Sequence, residues 1–144
     1  MLRRVLVLSL ALCASAPAAA RAADPIMPLS EVRSGMSCTG LSVIRGTEIA
    51  SFDVEVLDVI ADDPAHGGPR ILIRVSGPAV DDTGIGPGFS GSPILCDGRN
   101  AGAISEGLGE YGNHVALATP IEEILLSRSA RTRPSRVLAA RRRS

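Results

Sequence analysis

The sequence of 144 residues has the length of one domain, a formal net charge of zero, and arginine as its only basic residue apart from two histidines. Residues 24–126 contain five of the fifteen arginines and all fifteen acidic residues, so this part of the chain has an excess of ten negative charges. Such a charge argues against nucleic acid as a partner.

Residues 1–22 have the pattern of a signal peptide. Arg3 and Arg4 precede an apolar run, and the small residues Ala20 and Ala22 suit cleavage before Ala23. The apolar run is shorter than the roughly 20 residues that a stable membrane span needs. We therefore expect a cleaved leader, no stable membrane span, and export to the periplasm, the cell envelope or the medium.

Six segments of the predicted mature chain indicate short β-strands, because their apolar residues alternate or are β-branched and Gly, Asp and Asn turns separate them. In the second segment, Phe52, Val54 and Val56 fall on one face and acidic residues on the other, which is typical of a half-buried strand. Residues 62–69 predict a loop. The six segments are 41–46, 51–60, 70–76, 92–97, 100–107 and 113–118.

A helix is predicted after the last strand, since Thr119 suits the cap, Pro120 suits the first helical position, and residues 121–127 place apolar side chains on one face. The fold class is therefore mainly β, an antiparallel barrel or sandwich in residues 23–127 with a short C-terminal α-helix. Residues 128–144 contain seven arginines without apolar periodicity and predict a disordered basic tail. That tail is either solvated or attracted to anionic lipid or an acidic partner.

Two cysteines remain once the predicted leader, which contains Cys13, is removed. In an oxidising compartment Cys38 and Cys96 either form a disulfide or remain two separate buried thiols. No histidine lies near either cysteine in the sequence, so no zinc site, and no other metal or cofactor, is predicted.

Residues 84–98, GIGPGFSGSPILCDG, place two serines among five glycines. A serine hydroxyl is a poor nucleophile unless a base removes its proton and hydrogen-bond donors stabilise the oxyanion. The glycines on both sides of Ser90 allow a backbone path that turns successive N–H groups toward one point. The residues alone leave two interpretations open, a simple turn between strands and a nucleophile loop.

Residues 88–125, GFSGSPILCDGRNAGAISEGLGEYGNHVALATPIEEIL, resemble the C-terminal part of trypsin-like serine peptidases. The shared order is a G-x-S-G-[GS]-P loop, a strand, a D-G turn, two further strands, and a helix that begins at Thr-Pro. The G-x-S-G-S-P form of the loop, together with the segment 26–60, is most similar to the SpoIVB sporulation peptidases. The similarity spans about 100 residues.

This resemblance implies a trypsin-like β-barrel, possessed here in whole or in part, that acts on a protein or peptide substrate. It implies that Ser90 is the nucleophile and that the N–H groups of Gly88 and Ser90 form the oxyanion hole. Ser92 is then expected to support the loop rather than react.

The same resemblance implies a histidine base upstream of the serine and a carboxylate that orients it. His66, the candidate base, lies upstream in the predicted 62–69 loop, with Asp81 and Asp82 as the nearest candidate acids, whereas His114 follows the serine. Three possibilities stay open. The base and acid are missing, or His66 acts with Asp81 or Asp82 in an unusual arrangement, or both groups lie elsewhere because this is a short or truncated member of the family.

Two main hypotheses about function follow. The first is an exported serine peptidase with Ser90 as its nucleophile. The second is a catalytically inactive exported barrel that binds peptides or partner proteins. A third, a structural protein of the cell envelope, rests only on the arginine-rich tail.

Overall fold

The structure, a computed structural model, describes residues 25–110 and 112–132. The predicted signal peptide and residues 133–144 lie outside the described residues. One turn of 3-10 helix at Leu29–Glu31 precedes six strands and one α-helix. These elements are β1 (Ser37–Arg45), β2 (Glu48–Asp63), β3 (Gly68–Ser76), β4 (Pro93–Cys96), β5 (Arg99–Gly107), β6 (Val115–Pro120) and α1 (Ile121–Thr132).

The six strands form one closed antiparallel barrel in the order β1-β2-β3-β6-β5-β4, in which β4 returns to pair with β1. The predicted fold class is thus confirmed, and of the two architectures considered it is the barrel. Each predicted strand segment overlaps an observed strand. The predicted 62–69 loop is shorter than expected, because β2 continues to Asp63 and β3 begins at Gly68.

The inside of the barrel is filled by β-branched aliphatic side chains. The alternation in β2 places Phe52, Val54 and Val56 in the core at 3%, 2% and 1% exposure, while the acidic residues between them face outward. Ile73 of β3 and Ile104 of β5 meet them from other strands of the barrel. Burial of a side chain of this size contributes about 1.5–3 kcal/mol, so this inward face determines the register of β2.

A disulfide joins Cys38 of β1 to Cys96 of β4 across the seam where the barrel closes. The two residues are paired partners in the antiparallel register, their Cα atoms are 4.3 Å apart, and both side chains are buried. Only three residue pairs make up this seam, so the disulfide is a large part of what connects the first strand to the fourth.

The C-terminal helix begins directly after Pro120, which ends β6, and continues to Thr132. It continues five residues past the predicted 121–127, into the start of the segment that the sequence assigned to the basic tail. The hydroxyls of Ser127 and Ser129 donate to carbonyl oxygens three and four residues back, and Arg and Ala are good helix formers. No helix among the described residues combines the length and apolar character needed to cross a membrane.

Candidate active site

The long connection from β3 to β4 carries Ser90, and we call its last part, residues 86–93, the serine loop. The Ser90 side chain is exposed, and its hydroxyl has no hydrogen-bond partner among the described residues. Ser90 also lies at the boundary of two surface grooves and lines both of them. The loop therefore presents this hydroxyl to whatever occupies either groove.

Two backbone N–H groups beside that hydroxyl are left without a backbone acceptor in the part of the chain that the structure describes. Three other amides of the loop are used: Phe89 donates to the carbonyl of Gly86, Gly91 to that of Ile104, and Ser92 to that of Phe89, whereas Gly86 at the start of the loop donates to no backbone carbonyl. Gly88 and Ser90 donate to no backbone carbonyl. Two free N–H groups on one tight turn are the donor arrangement that stabilises an oxyanion.

The backbone of Gly88 has φ of +102°, which side chains rarely allow and which gives the loop its sharp reversal. Gly91 on the other side of Ser90 has φ of +90°. The flanking glycines are thus a conformational requirement of the loop, as the sequence indicated.

An aromatic contact fixes the serine loop to the barrel. The ring of Phe89 meets the ring of Phe52 edge to face, with 5.9 Å between their centroids and 72° between their planes. Gly40 of β1 makes room for this arrangement, because a Cβ atom at that position would lie 2.2 Å from the Phe52 ring. These are the two phenylalanines of the sequence, and their contact is one of the attachments that position Ser90.

A hydroxyl pair provides a second attachment. The Ser92 side chain is 7% exposed, and its Oγ donates to Oγ of Ser42 in β1 at 2.9 Å. A buried hydroxyl needs such a partner. In the structure Ser92 therefore holds the loop against β1, whereas Ser90 is the exposed hydroxyl.

The first groove, which we call the β5 groove, has a volume of about 330 Å³ and lies between the serine loop and the end of β5. Its walls combine glycines and other small residues with two acidic residues, Glu106 and Glu110. Its lining residues are Ile85, Gly86, Pro87, Gly88, Ser90, Ile104, Ser105, Glu106, Gly107, Leu108, Gly109, Glu110 and Asn113.

The second groove, the β1 groove, has a volume of about 390 Å³ and a more apolar wall. It lies on the other side of Ser90, where Val43 and Ile49 at the tip of the β1–β2 hairpin are 54% and 69% exposed. Its lining residues are Leu41, Ser42, Val43, Ile49, Gly88, Ser90, Gly91, Ser92 and Pro93.

The end of β5 has one strand edge without a partner among the described residues. β4 pairs with β5 only as far as Ala103, and Ile104 is bonded to the serine loop. Beyond that point β6 pairs with Glu106 and Gly107 on one side, while the opposite edge borders the β5 groove. A free strand edge can bind an extended peptide by backbone hydrogen bonds.

His66 lies in the turn between β2 and β3, and both of its ring nitrogens are occupied by carboxylates. Nδ1 is 2.7 Å from Oδ2 of Asp63, and Nε2 is 2.6 Å from Oε2 of Glu106. The hydrogen bond to Asp63, followed by the charges of Asp63 and Glu106, raises the pKa of His66 above its ordinary value. The hydrogen bond from His66 likewise lowers the pKa of Asp63.

The candidate base and acids are not brought to Ser90. His66 makes no hydrogen bond to Ser90, and the carbonyl of His114 accepts from the N–H of Val75 on β3. Asp81 accepts from the N–H of Gly77 at 2.7 Å and so closes a local turn, and Asp82 lines a separate depression with Ile44 and Pro78. Among the described residues no cluster of three or more His, Cys, Asp or Glu could hold a metal ion.

The comparisons with known proteins bear on the fold. No protein-family model matches the chain, and no curated protein matches it. Solved structures do match the chain. The chain is similar to the inactive form of the Rv3671c protease, with 14% identity, a TM-score of 0.51, and coverage of 76% of this chain and 51% of that one. A serine-to-alanine variant of Rv3671c from M. tuberculosis H37Rv, also inactive, gives 16% identity, a TM-score of 0.53, and coverage of 78% and 53%.

The chain has the trypsin-like barrel fold. It spans about half the length of the Rv3671c chains that it matches. Kallikrein-related peptidase 10 in complex with Zn²⁺ is a further neighbour, at 18% identity and a TM-score of 0.45, over 71% of this chain and 53% of that one.

Two residues that shape the site were not singled out from the sequence. Ser42 holds Ser92 from 50 residues away, and Glu106 of β5 contacts His66 across β6, the strand between β3 and β5. The alternating pattern of the strands indicates which residues face inward, but partners of this kind depend on which strands become neighbours.

Proposed function

We propose that this chain is the nucleophile-bearing β-barrel of an exported serine peptidase of the SpoIVB type, acting on protein or peptide substrates. The observation that carries the proposal is the geometry at Ser90. An exposed hydroxyl, two N–H groups without backbone acceptors, and a free strand edge meet at the boundary of two grooves.

These parts support acyl transfer in the following way. An extended peptide would lie along the free edge of β5 with its scissile carbonyl at Ser90. The Ser90 hydroxyl would attack that carbonyl, and the N–H groups of Gly88 and Ser90 would receive the negative charge that develops on its oxygen. Removal of one such donor typically slows an enzyme of this kind by a factor of about 10²–10³.

The reaction also needs a base for the Ser90 proton. Neither His66 nor His114 is hydrogen-bonded to Ser90 in the structure, so the proposal requires a base other than these two histidines in their present contacts.

The test is covalent labelling of Ser90 by a fluorophosphonate, with and without added imidazole, which serves as an external base for the Ser90 proton. We expect slow labelling that imidazole accelerates, with the added mass on the peptide that contains Ser90. Ser90→Ala abolishes it, while Ser51→Ala, an exposed serine on β2, is the matched control and leaves it unchanged. A folded wild-type chain that stays unlabelled under both conditions refutes the nucleophile assignment.

The second candidate function is a non-catalytic barrel that binds extended peptides. It is favoured by one observation, that both ring nitrogens of His66 are bonded to carboxylates and are unavailable to Ser90. On this hypothesis peptide binding is unaffected by Ser90→Ala, and no fluorophosphonate adduct forms.

A further inference from the structure

The turn between β2 and β3 is tied to the wall of the β5 groove by one side chain. His66 reaches from that turn to Glu106 at 2.6 Å, and its other nitrogen holds Asp63 at 2.7 Å. Glu106 belongs to the part of β5 whose free edge borders the β5 groove. An ion pair outside the serine loop therefore touches the surface on which the substrate of the proposed function would lie.

The chemistry of the imidazole ring sets the charge state of the two contacts that His66 makes with Asp63 and Glu106, which together we call the His66 bridge. A neutral imidazole has one N–H donor and one acceptor nitrogen, whereas an ionised carboxylate can only accept. Hydrogen bonds from both nitrogens of His66 to the carboxylates of Asp63 and Glu106 therefore require the doubly protonated, positively charged ring. When that proton is lost, one of the two contacts loses its donor.

The other charged groups near the turn come from β3 and α1. Arg70 of β3 donates from Nη2 to the carbonyl oxygen of His66 at 3.1 Å, which fixes the backbone of the turn. Glu123 of α1 lies beside Gly68 where β3 begins. The ring of His66 itself contacts two carboxylates, those of Asp63 and Glu106, while Arg70 contacts only its backbone carbonyl. The negative charges of these two carboxylates favour the protonated ring, in agreement with the raised pKa of His66.

We propose that His66 is a positioning residue that sets the charge of the β5 groove, and that it does so as a function of pH. The protonated ring pairs with Glu106 and neutralises the carboxylate at the groove wall. Loss of the proton to solvent releases Glu106, which then presents its negative charge, together with that of Glu110, to a bound peptide. The groove therefore prefers a basic substrate side chain more strongly at high pH than at low pH. This inference rests on the proposed binding of peptide in the groove.

The first measurement tests the bridge without reference to any activity. The ring C–H resonances of His66 are followed by NMR across a pH titration of the full chain, with His114→Gln to assign them. We expect Glu106→Gln and Asp63→Asn each to move the His66 midpoint to lower pH, and Glu110→Gln to leave it in place. An unchanged midpoint in Glu106→Gln overturns the inference, whatever the chain does to peptides.

The second measurement tests the effect on selection. Binding to the Ser90→Ala chain is compared for otherwise identical extended peptides that carry Arg or Gln at each position in turn, at about pH 5 and about pH 9. We expect the Arg-over-Gln preference to rise about two- to fivefold with pH at one position, the size typical of an exposed charge pair. His66→Gln should show the high preference at both pH values, and His66→Arg, which keeps the positive charge, the low preference at both.

The outcomes separate the two proposals. Binding with a pH-independent preference, or a pH-dependent preference that persists in Glu106→Gln, overturns the role of His66 and leaves the proposed function standing. Failure of every peptide to bind overturns the proposed function and this inference with it, even if the NMR midpoint moves as expected.

Discussion

Loss of the disulfide between Cys38 and Cys96 is expected to destabilise the barrel severely. The perturbation is reduction of the bond in the wild-type chain, or replacement of both cysteines by alanine. The bond lies in the seam between β1 and β4, which is three residue pairs long. Because so few contacts hold this seam, the cross-link is the main restraint on the ends of a long stretch of chain.

The magnitude follows from the length of that stretch. The cysteines are separated by 58 residues in the sequence. In the chain-entropy description, closing a loop of that length lowers the entropy of the unfolded state enough to stabilise the folded state by about 4 kcal/mol. Domains are commonly stable by about 5–15 kcal/mol in total, so the loss is a large fraction of the whole.

The assay is urea unfolding followed by far-ultraviolet circular dichroism, since the sequence contains no tryptophan. Oxidised chain, reduced chain and the double alanine variant are compared, all with Cys13→Ser so that one disulfide is possible. Reduction leaves the side-chain volumes almost unchanged and isolates the cross-link from any cavity. A difference between oxidised and reduced chain below about 1 kcal/mol would refute the argument from loop length.

Three further outcomes are expected. Gly40→Ala brings a Cβ atom to 2.2 Å from the ring of Phe52, so we expect a loss of about 1–3 kcal/mol in urea unfolding and slower fluorophosphonate labelling, because the ring supports the serine loop. Ser42→Ala leaves the buried hydroxyl of Ser92 without its partner and should cost about 1–3 kcal/mol; in a double-mutant cycle the two alanine changes together should cost less than their sum. The folded-state pKa of His66 is raised, so its bridge stabilises the fold below the ordinary histidine pKa and that stabilisation is lost as pH rises through the raised value. Melting temperatures of wild type and His66→Gln should therefore differ at about pH 5 and converge at alkaline pH, and a constant difference would contradict the bridge.

The strands were predictable because their signal is local. In β2 the alternation of Phe52, Val54 and Val56 with acidic residues determines which face is buried, and the structure places those three side chains in the core. The length of β2 was not predictable in the same way. It extends to Asp63 through two irregularities in its pairing with β3, where the alternation is interrupted.

The serine loop could be located from the sequence, but its supports could not. The glycines around Ser90 and the resemblance they carry point to the loop directly. The contacts of Ser92 with Ser42 and of His66 with Glu106 join residues 50 and 40 positions apart and exist only because the barrel brings β1 beside β4 and places β3 and β5 on the two sides of β6. A pattern along the chain reports which side of a strand is apolar and contains no information on which strand lies across the barrel.

The order of the strands also has a consequence for how the site forms. β1, β2 and β3 follow one another as hairpins, and so do β4, β5 and β6, so each half of the barrel can assemble from contacts that are close in sequence. The connection between the two halves ends in the serine loop. Phe89 and Ser92 contact the first half, while Gly91 is bonded to Ile104 of the second. The geometry around Ser90 thus becomes complete only when both halves have folded and joined, so a partly folded chain does not present it.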